Sequence, residues 1–431
     1  MMNESGNFQK DIDIIANNIL TVIHSPIKIL VEKNVEGIVS ASILLKALLK
    51  KNVNFSLSFA KFLDDSIVKE VNLDPCKIVF LVGFNDDKLK LIEKKVFILS
   101  SSIVSLSEVI SIKIDLPLPV ISYLLAKQLD SSVEVSHLAL LCNDNEILHD
   151  ITKAALESKL ISKFQGFKLF GSNTRQFHKV LEYSTDPFIL GVSGSEDNSI
   201  NLVKELGISS AEEGFSNMMS LDEEDISRLV STLGIKIGII KKEDIFLLNC
   251  EEANSPLADI GEFRQFLEAC IAFDKPSVAV AKCLGSKEFK NRALEILKDY
   301  KLEIIRALNL FFIEADNVVS KGENFIMANF RDSINSELLE KIAFLICKNS
   351  MPEKRLLLMA YSSNKIKCCM PESSLDMNSS SLFSKFNIAY SKNNEICSFS
   401  FDMSEENDFM VAAMENLEKV KIEQVSPQKP L

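Results

Sequence analysis

Residues 27–50, IKILVEKNVEGIVSASILLKALLK, constrain the fold more than any other stretch. Ile27, Ile29, Leu30 and Val31 make a β-favouring run short enough for a buried strand, and Ala41, Leu44, Leu45, Leu48 and Leu49 recur at helical spacing. Between them stand Glu32, Lys33, Asn34, Val35, Glu36 and Gly37. A strand that passes through a short polar turn into an amphipathic helix is the unit of open parallel sheets, and such sheets bind ligands at the carboxyl ends of their strands. The polar turn is therefore the first place to look for chemistry, against the alternative of an ordinary solvated connection.

The alternation continues. An extended run at 55–60, a helix at 66–71, a strand at 78–83, a helix at 88–94 and a strand at 96–99 predict a doubly wound, mostly parallel α/β sheet, with a leading helix over 8–23 at one edge. A helix at 120–129 and a second apolar helix or strand at 135–142 complete a first domain, residues 1–150. Residues 151–257 mix charged and apolar residues at helical spacing, with turn signals at Asp186-Pro187, Ser193-Gly194-Ser195 and Glu213-Gly214, and predict a helical insert. Residues 258–322 are expected to pack back on the first domain and supply a connecting helix. A smaller α/β unit spans 323–420, and the polar, Pro-containing tail 421–431 is expected to be disordered.

A net charge of -12 opposes a chain whose main task is gripping nucleic acid by its phosphates, and residues 325–431 hold slightly more acidic than basic side chains. The nine cysteines are odd in number, scattered and free of any C-x-x-C pair, which suggests free thiols in a reducing compartment. The first residues lack a secretory pattern, and no apolar run approaches the ~18 residues a membrane span needs. The expectation is a soluble cytoplasmic protein with no membrane contact.

The opening stretch resembles the first signature of the DHH phosphoesterase family, in particular its archaeal RecJ-like members. That signature ends a strand with a His-x-Asp-Ala-Asp-Gly type of segment whose His and Asp residues ligate catalytic metal. Here Glu32 stands at the His position, Asn34 at the first Asp, Val35 at the Ala, Glu36 at the second Asp and Gly37 at the Gly. The second signature places an Asp after the next strand, where this chain has Val82 or Gly83; Ser100, Ser101 and Ser102 stand where the Asp-His-His triplet would follow 96–99. A fourth signature supplies an Asp, which Asp144 or Glu146 matches. Residues 168–189, and residues 258–285 with their Glu262-Phe263 pair and closing Cys283-Leu284-Gly285, resemble two further stretches of the same family. The last unit sits where the family carries its DHH-associated domain. Its glycine-rich loop corresponds to Ser391, Lys392, Asn393, Asn394 and Glu395, and its Arg-bearing segment to residues 365–371, leaving Lys365, Lys367 and Lys392 as candidate DNA-backbone contacts.

Two-metal phosphodiester hydrolysis needs several carboxylates and imidazoles converging on the ions, and serine hydroxyls are poor ligands beside them. At most Glu32, Glu36 and one of Asp144 or Glu146 match, so the resemblance implies a degenerate site: no catalysis, no metal and no cofactor. The four histidines, His24, His137, His149 and His178, fall outside every signature and are read as surface or structural. The serine triplet lacks a nucleophile elbow. RecJ-like proteins of archaea associate with GINS and, with the MCM helicase, form the counterpart of the eukaryotic replicative helicase assembly, whose RecJ-related subunit also lacks nuclease activity. The resemblance thus implies a non-catalytic scaffold that binds GINS and through it MCM, with weak single-stranded DNA contact, in the nucleoid-associated cytoplasm. The alternatives are a residual metal-dependent single-strand exonuclease or phosphoesterase, and a stand-alone single-stranded DNA-binding repair factor. Phe164, Phe167, Phe170, Phe177, Tyr183 and Phe188, concentrated in one stretch, form either a core or the anchors of a partner interface.

Overall fold

The computed structural model describes residues 5–418 apart from 23, 86, 102–103, 107–109, 113–115, 142–148, 168, 208–223, 226, 229–230, 232–241, 253–254, 351–353, 376–382, 387, 389 and 394. The chain forms two compact units and visits each twice: Met1–Gln165 with Asp244–Leu297, and Gly166–Glu243 with Lys298–Leu431.

The first visit to the first unit opens with helix α1 (Ser5–Val22), strand β1 (Ile27–Glu32), α2 (Val35–Lys50), β2 (Phe55–Ala60), α3 (Asp65–Leu73), β3 (Ile78–Val82) and β4 (Lys95–Leu99). The strands stand in the order β2-β1-β3-β4 and pair in parallel, Ile29 opposite Leu57 on one side and Phe80 on the other. Side chains alternate across such a sheet. Leu30, Val79, Leu81 and Val96 pack with Val68 and Val71 of α3, while Phe80 and Phe97 stack at 4.7 Å between ring centres. Lys28, on the α3 side of β1, is buried, and its charge is met by Asp74 at 3.0 Å and Glu70 at 3.2 Å. Helix α2 is buried on nearly every side from Gly37 to Leu48.

Three departures from the sequence reading occur here. The segment expected as a helix at 88–94 is a single 3-10 turn, Asp87–Leu91. The sheet continues past β4 into two short antiparallel strands, β5 (Val104–Leu106) and β6 (Ile110–Ile112), too short for a period-two pattern to register. After α4 (Leu118–Leu129), which packs on α1 and α2, the described part of the helix or strand read at 135–142 is a helix, but a short one, α5 (Ser136–Ala139). Helix α6 (His149–Glu157) and strand β7 (Ile161–Phe167) follow.

The chain then makes its first visit to the second unit, with α7 (Phe177–Glu182) and α8 (Glu196–Glu205) around a core of Phe167, Phe177, Val180, Leu181, Ile189, Leu202, Val203 and Leu206. Phe170, Tyr183 and Phe188 are buried as well. It returns through β8 (Lys242–Leu248), which pairs with β7, so the stretch read as helical is framed by two strands. Helices α9 (Ile260–Ala272) and α10 (Pro276–Cys283) pack against α2. Lys282 of α10 and Glu251 form an ion pair at 2.7 Å with side chains only 3% and 9% exposed.

Helix α11 (Lys290–Phe312) carries the chain into the second unit again. Strands β9 (Val319–Lys321), β10 (Phe325–Asn329), β11 (Arg355–Ser362), β12 (Lys365–Pro371), β13 (Tyr390–Asn393) and β14 (Ile396–Asp402) form a sheet in the order β13-β14-β12-β11-β10-β9, parallel only between β10 and β11. Helix α12 (Leu339–Ser350) packs against β11, β12 and β14. Phe409, Ala412 and Ala413 of α13 (Glu406–Glu418) join the cluster of Phe399, Phe401, Met327 and Met359. Within this unit Phe188 stacks on Phe312 at 5.6 Å, and its N–H donates to Asn349 at 2.8 Å.

No helix among the described residues is long and apolar enough to cross a membrane. The described cysteines are free thiols.

Candidate functional site

The carboxyl ends of β1, β3 and β4 lie side by side, so the loops after them bring together the positions singled out in sequence. Asn34 caps α2: its extended backbone frees the side-chain oxygen to accept from the Gly37 N–H at 2.7 Å, satisfying one of the orphan donors of a helix start. Glu36 sits in the first turn, where a negative charge suits the helix dipole. The α2 turn presses so closely on β1 that a Cβ at Gly37 would stand 2.4 Å from the Glu32 carbonyl oxygen, which is why glycine is needed there.

Glu32, half-buried at the end of β1, leans over the end of β3 rather than into solvent. Gly83 has φ +98°, and a Cβ built on it would fall 2.8 Å from both Cβ and Oε2 of Glu32. The room beside β3 in which a second ligand side chain would stand is thus filled by Glu32 itself. Val82, the other residue matched to that ligand, is fully buried among the strands. The Gly83 N–H donates to the Leu99 carbonyl at 2.8 Å, tying the ends of β3 and β4 together. Just beyond, Ser100 is buried at 2% exposure and Ser101 is exposed. Ser102, Asp144 and Glu146 lie outside the described residues. Burial holds the Glu32 carboxyl above its ordinary range, a hydrogen bond with Asn34 pulls the other way, and nearby Glu36 raises it further. The one lysine of the turn, Lys33, turns to Asp274 at 2.8 Å, so it does not offset this pair of acids.

The resemblance read from the sequence implies a divalent metal at these strand ends, and the described residues do not fit one. Asn34 spends its oxygen on the helix cap, Val82 and Gly83 offer no donor atom in their side chains, and Glu32 is packed on Gly83. Among the described residues no three His, Cys, Asp or Glu side chains cluster as a metal ligand set. His24, His137 and His178 stand elsewhere, and the side chain of His149 lies outside the described ones. His137 is buried beside Lys46, roughly 18 Å along α2 from Asn34 at 1.5 Å per residue, and burial, with Lys46 adding, pushes it down to about 4. Its Nδ1 has no hydrogen-bond partner among the described residues. His178 is buried in the second unit and His24 is exposed.

In the second unit Lys365 opens β12 and is exposed. Lys367, two residues on, is only 12% exposed and lies 3.5 Å from Glu340 and 3.7 Å from Glu337. Lys392 is on β13, opposite Cys397. The register does not collect the three lysines into one row. The packing of Glu32 on Gly83, the Lys33–Asp274 pair and the buried Lys282–Glu251 pair were not read from the sequence. The only advance signal was a glycine ending an otherwise apolar strand.

Residues 169–243 match the family model of the DHH-CID domain. No curated protein has a sequence that matches the chain. Among solved structures, CDC45 from Entamoeba histolytica superposes with a TM-score of 0.63 at 10% identity, over 95% of this chain and 99% of that one. Exonuclease RecJ bound to manganese gives 0.55 at 10% identity, over 96% and 97%. RecJ from Thermus thermophilus in complex with Mn2+ gives 0.53 at 10% identity, over 95% of this chain and 55% of that one. At such identity the likeness is one of fold. Residues 169–243 thus carry the likeness to a DHH-CID domain, and the chain as a whole shares its fold with RecJ and CDC45.

Proposed function

We propose that this protein is a non-catalytic RecJ-like accessory subunit of a DNA-replication helicase assembly, binding GINS and through it MCM, with at most weak single-stranded DNA contact. The observation that carries the reading is the packing of Glu32 on Gly83. It leaves the carboxyl ends of β1 and β3 closed on themselves, with hydrophobic, glycine and serine positions where a two-metal hydrolase needs ligands. The likeness of fold to CDC45 over nearly the full length of both chains supports the same reading. So does the net charge of -12, which disfavours a polyanionic main ligand. The fold is also that of an exonuclease, and the alternative of residual nuclease activity is decided by assay. In gel filtration with light scattering, the chain mixed with purified GINS should elute as a complex at micromolar concentration. It should release no mononucleotides from single-stranded DNA with manganese or magnesium. A chain that elutes alone with both GINS and MCM yet shifts a single-stranded oligonucleotide would be a stand-alone DNA-binding factor. Metal-dependent release abolished by Glu36→Ala or Asp144→Ala would make it a nuclease.

A further inference from the structure

In the second unit, the DHH-CID segment holds one arginine in a setting that packing alone does not account for. Arg175 precedes α7, and its backbone N–H donates to the Gly171 carbonyl at 2.8 Å. Its guanidinium carbon stands 4.7 Å from the ring centre of Phe170 and 5.1 Å from that of Tyr183, both rings buried. Two aromatic faces hold the planar group by cation–π attraction and fix its orientation. Its Nε is buried and has no hydrogen-bond acceptor among the described residues, and the guanidinium forms no ion pair among them. The next acids along the chain are engaged with lysines: Glu182 and Glu196 with Lys179 at 2.7 and 2.8 Å, and Asp186 with Lys348 at 2.6 Å. A second cation reinforces the field, since Lys301 stands 4.1 Å from the centre of the same Phe170 ring while donating to Thr185 at 3.0 Å.

A buried donor without an acceptor is costly, and arginine forms its strongest bonds as a two-pronged fork on a planar anion. We propose that Arg175 is the receptor for a single carboxylate, an Asp or Glu side chain presented by a protein partner. A carboxylate matches the fork in shape, and its aliphatic stem suits the aromatic walls. A nucleic-acid strand would bring a row of charges against a chain of net charge -12, whereas one carboxylate brings only its own. That the partner is GINS rests on the proposed function; the receptor itself does not.

The test uses the full chain, which carries seven arginines, labelled with 15N-arginine. Acetate is titrated against chloride at constant ionic strength, and Arg175→Lys identifies the Arg175 Nε–Hε signal by its disappearance. That signal should move saturably with acetate while the other arginines stay put. Adding purified GINS should move the same signal, and Arg175→Lys, with an unchanged melting temperature, should weaken GINS binding about tenfold, as expected when a bidentate charged pair is lost. An Arg175 signal indifferent to acetate overturns the receptor. A larger shift with a single-stranded oligonucleotide than with acetate overturns the carboxylate assignment in favour of phosphate. A shift with acetate but none with GINS upholds the receptor and removes GINS as its source.

Discussion

Replacing Gly83 by alanine tests the closed strand ends directly. The backbone there has φ +98°, a conformation that costs a residue with a Cβ about 1–3 kcal/mol. The new methyl would also stand 2.8 Å from Cβ and 2.8 Å from Oε2 of Glu32. The carboxylate end can swing away, but the Glu32 Cβ moves only with β1, so overpacking adds another ~1–3 kcal/mol. Gly83→Ala should therefore destabilise the first unit by about 2–6 kcal/mol. Only the overlap should couple to Glu32. In a double-mutant cycle Glu32→Ala, which removes the carboxylate but keeps Cβ, should recover a small part, and Glu32→Gly more of it. Because the chain has two units, a global unfolding midpoint gives the direction of a change but not its local size. Hydrogen exchange of the β1 and β3 amides reports the local free energy instead. Protection unchanged by Gly83→Ala, or additive effects of the two positions, would show that Glu32 does not occupy the room beside Gly83 and would reopen the strand ends as a ligand site.

Burial and Glu36 hold the Glu32 carboxyl above its ordinary 4.5 in the folded chain, so the folded state binds that proton more tightly than the unfolded state. The contribution of this group is full below 4.5 and is lost as pH rises through the raised folded value, so Glu32→Gln should raise the melting temperature at neutral pH and give no gain in acid. Equal shifts at both would refute the assignment. Lys282→Met leaves Glu251 buried and unpaired and should cost about 3–5 kcal/mol in denaturation, most of it recovered by adding Glu251→Leu. A single substitution as mild as the double one would show that water reaches the pair. EDTA and millimolar manganese should give the same unfolding midpoint, because a metal raises it only by binding the folded form. An upward shift lost in Glu32→Ala or Glu36→Ala would reveal a surviving metal site.

The alternation of strand and helix made the first sheet legible, because β3 is a continuous buried apolar run and β1 and β4 are largely apolar, a pattern local enough to read. Strands β7 and β8 escaped because Lys163, Gln165, Glu243 and Asp244 interrupt their apolar residues and made the region look helical. The site positions Asn34, Val82 and Ser100 could be named from the family resemblance, yet what Glu32 does with its side chain could not. Its direction depends on a left-handed glycine supplied by another strand, a tertiary fact with no local signature. Lys367 shows the same limit: two lysines spaced along a strand look like a charged surface, and only the register with α12 turns one of them toward Glu340.

The chain's double visit to each unit also bears on how the protein is made. Helices α9 and α10 cover α2, yet they are encoded more than a hundred residues after it. On a ribosome adding roughly 5–20 residues per second, the sheet and α2 must wait on the order of ten seconds, their apolar face uncovered, while the whole DHH-CID segment emerges. Truncation at residue 165 would freeze that exposed state, so fragments cut at the apparent end of the first α/β stretch should aggregate. An expression fragment of the first unit has to reach residue 297 and carry the 166–243 segment, or a short linker in its place.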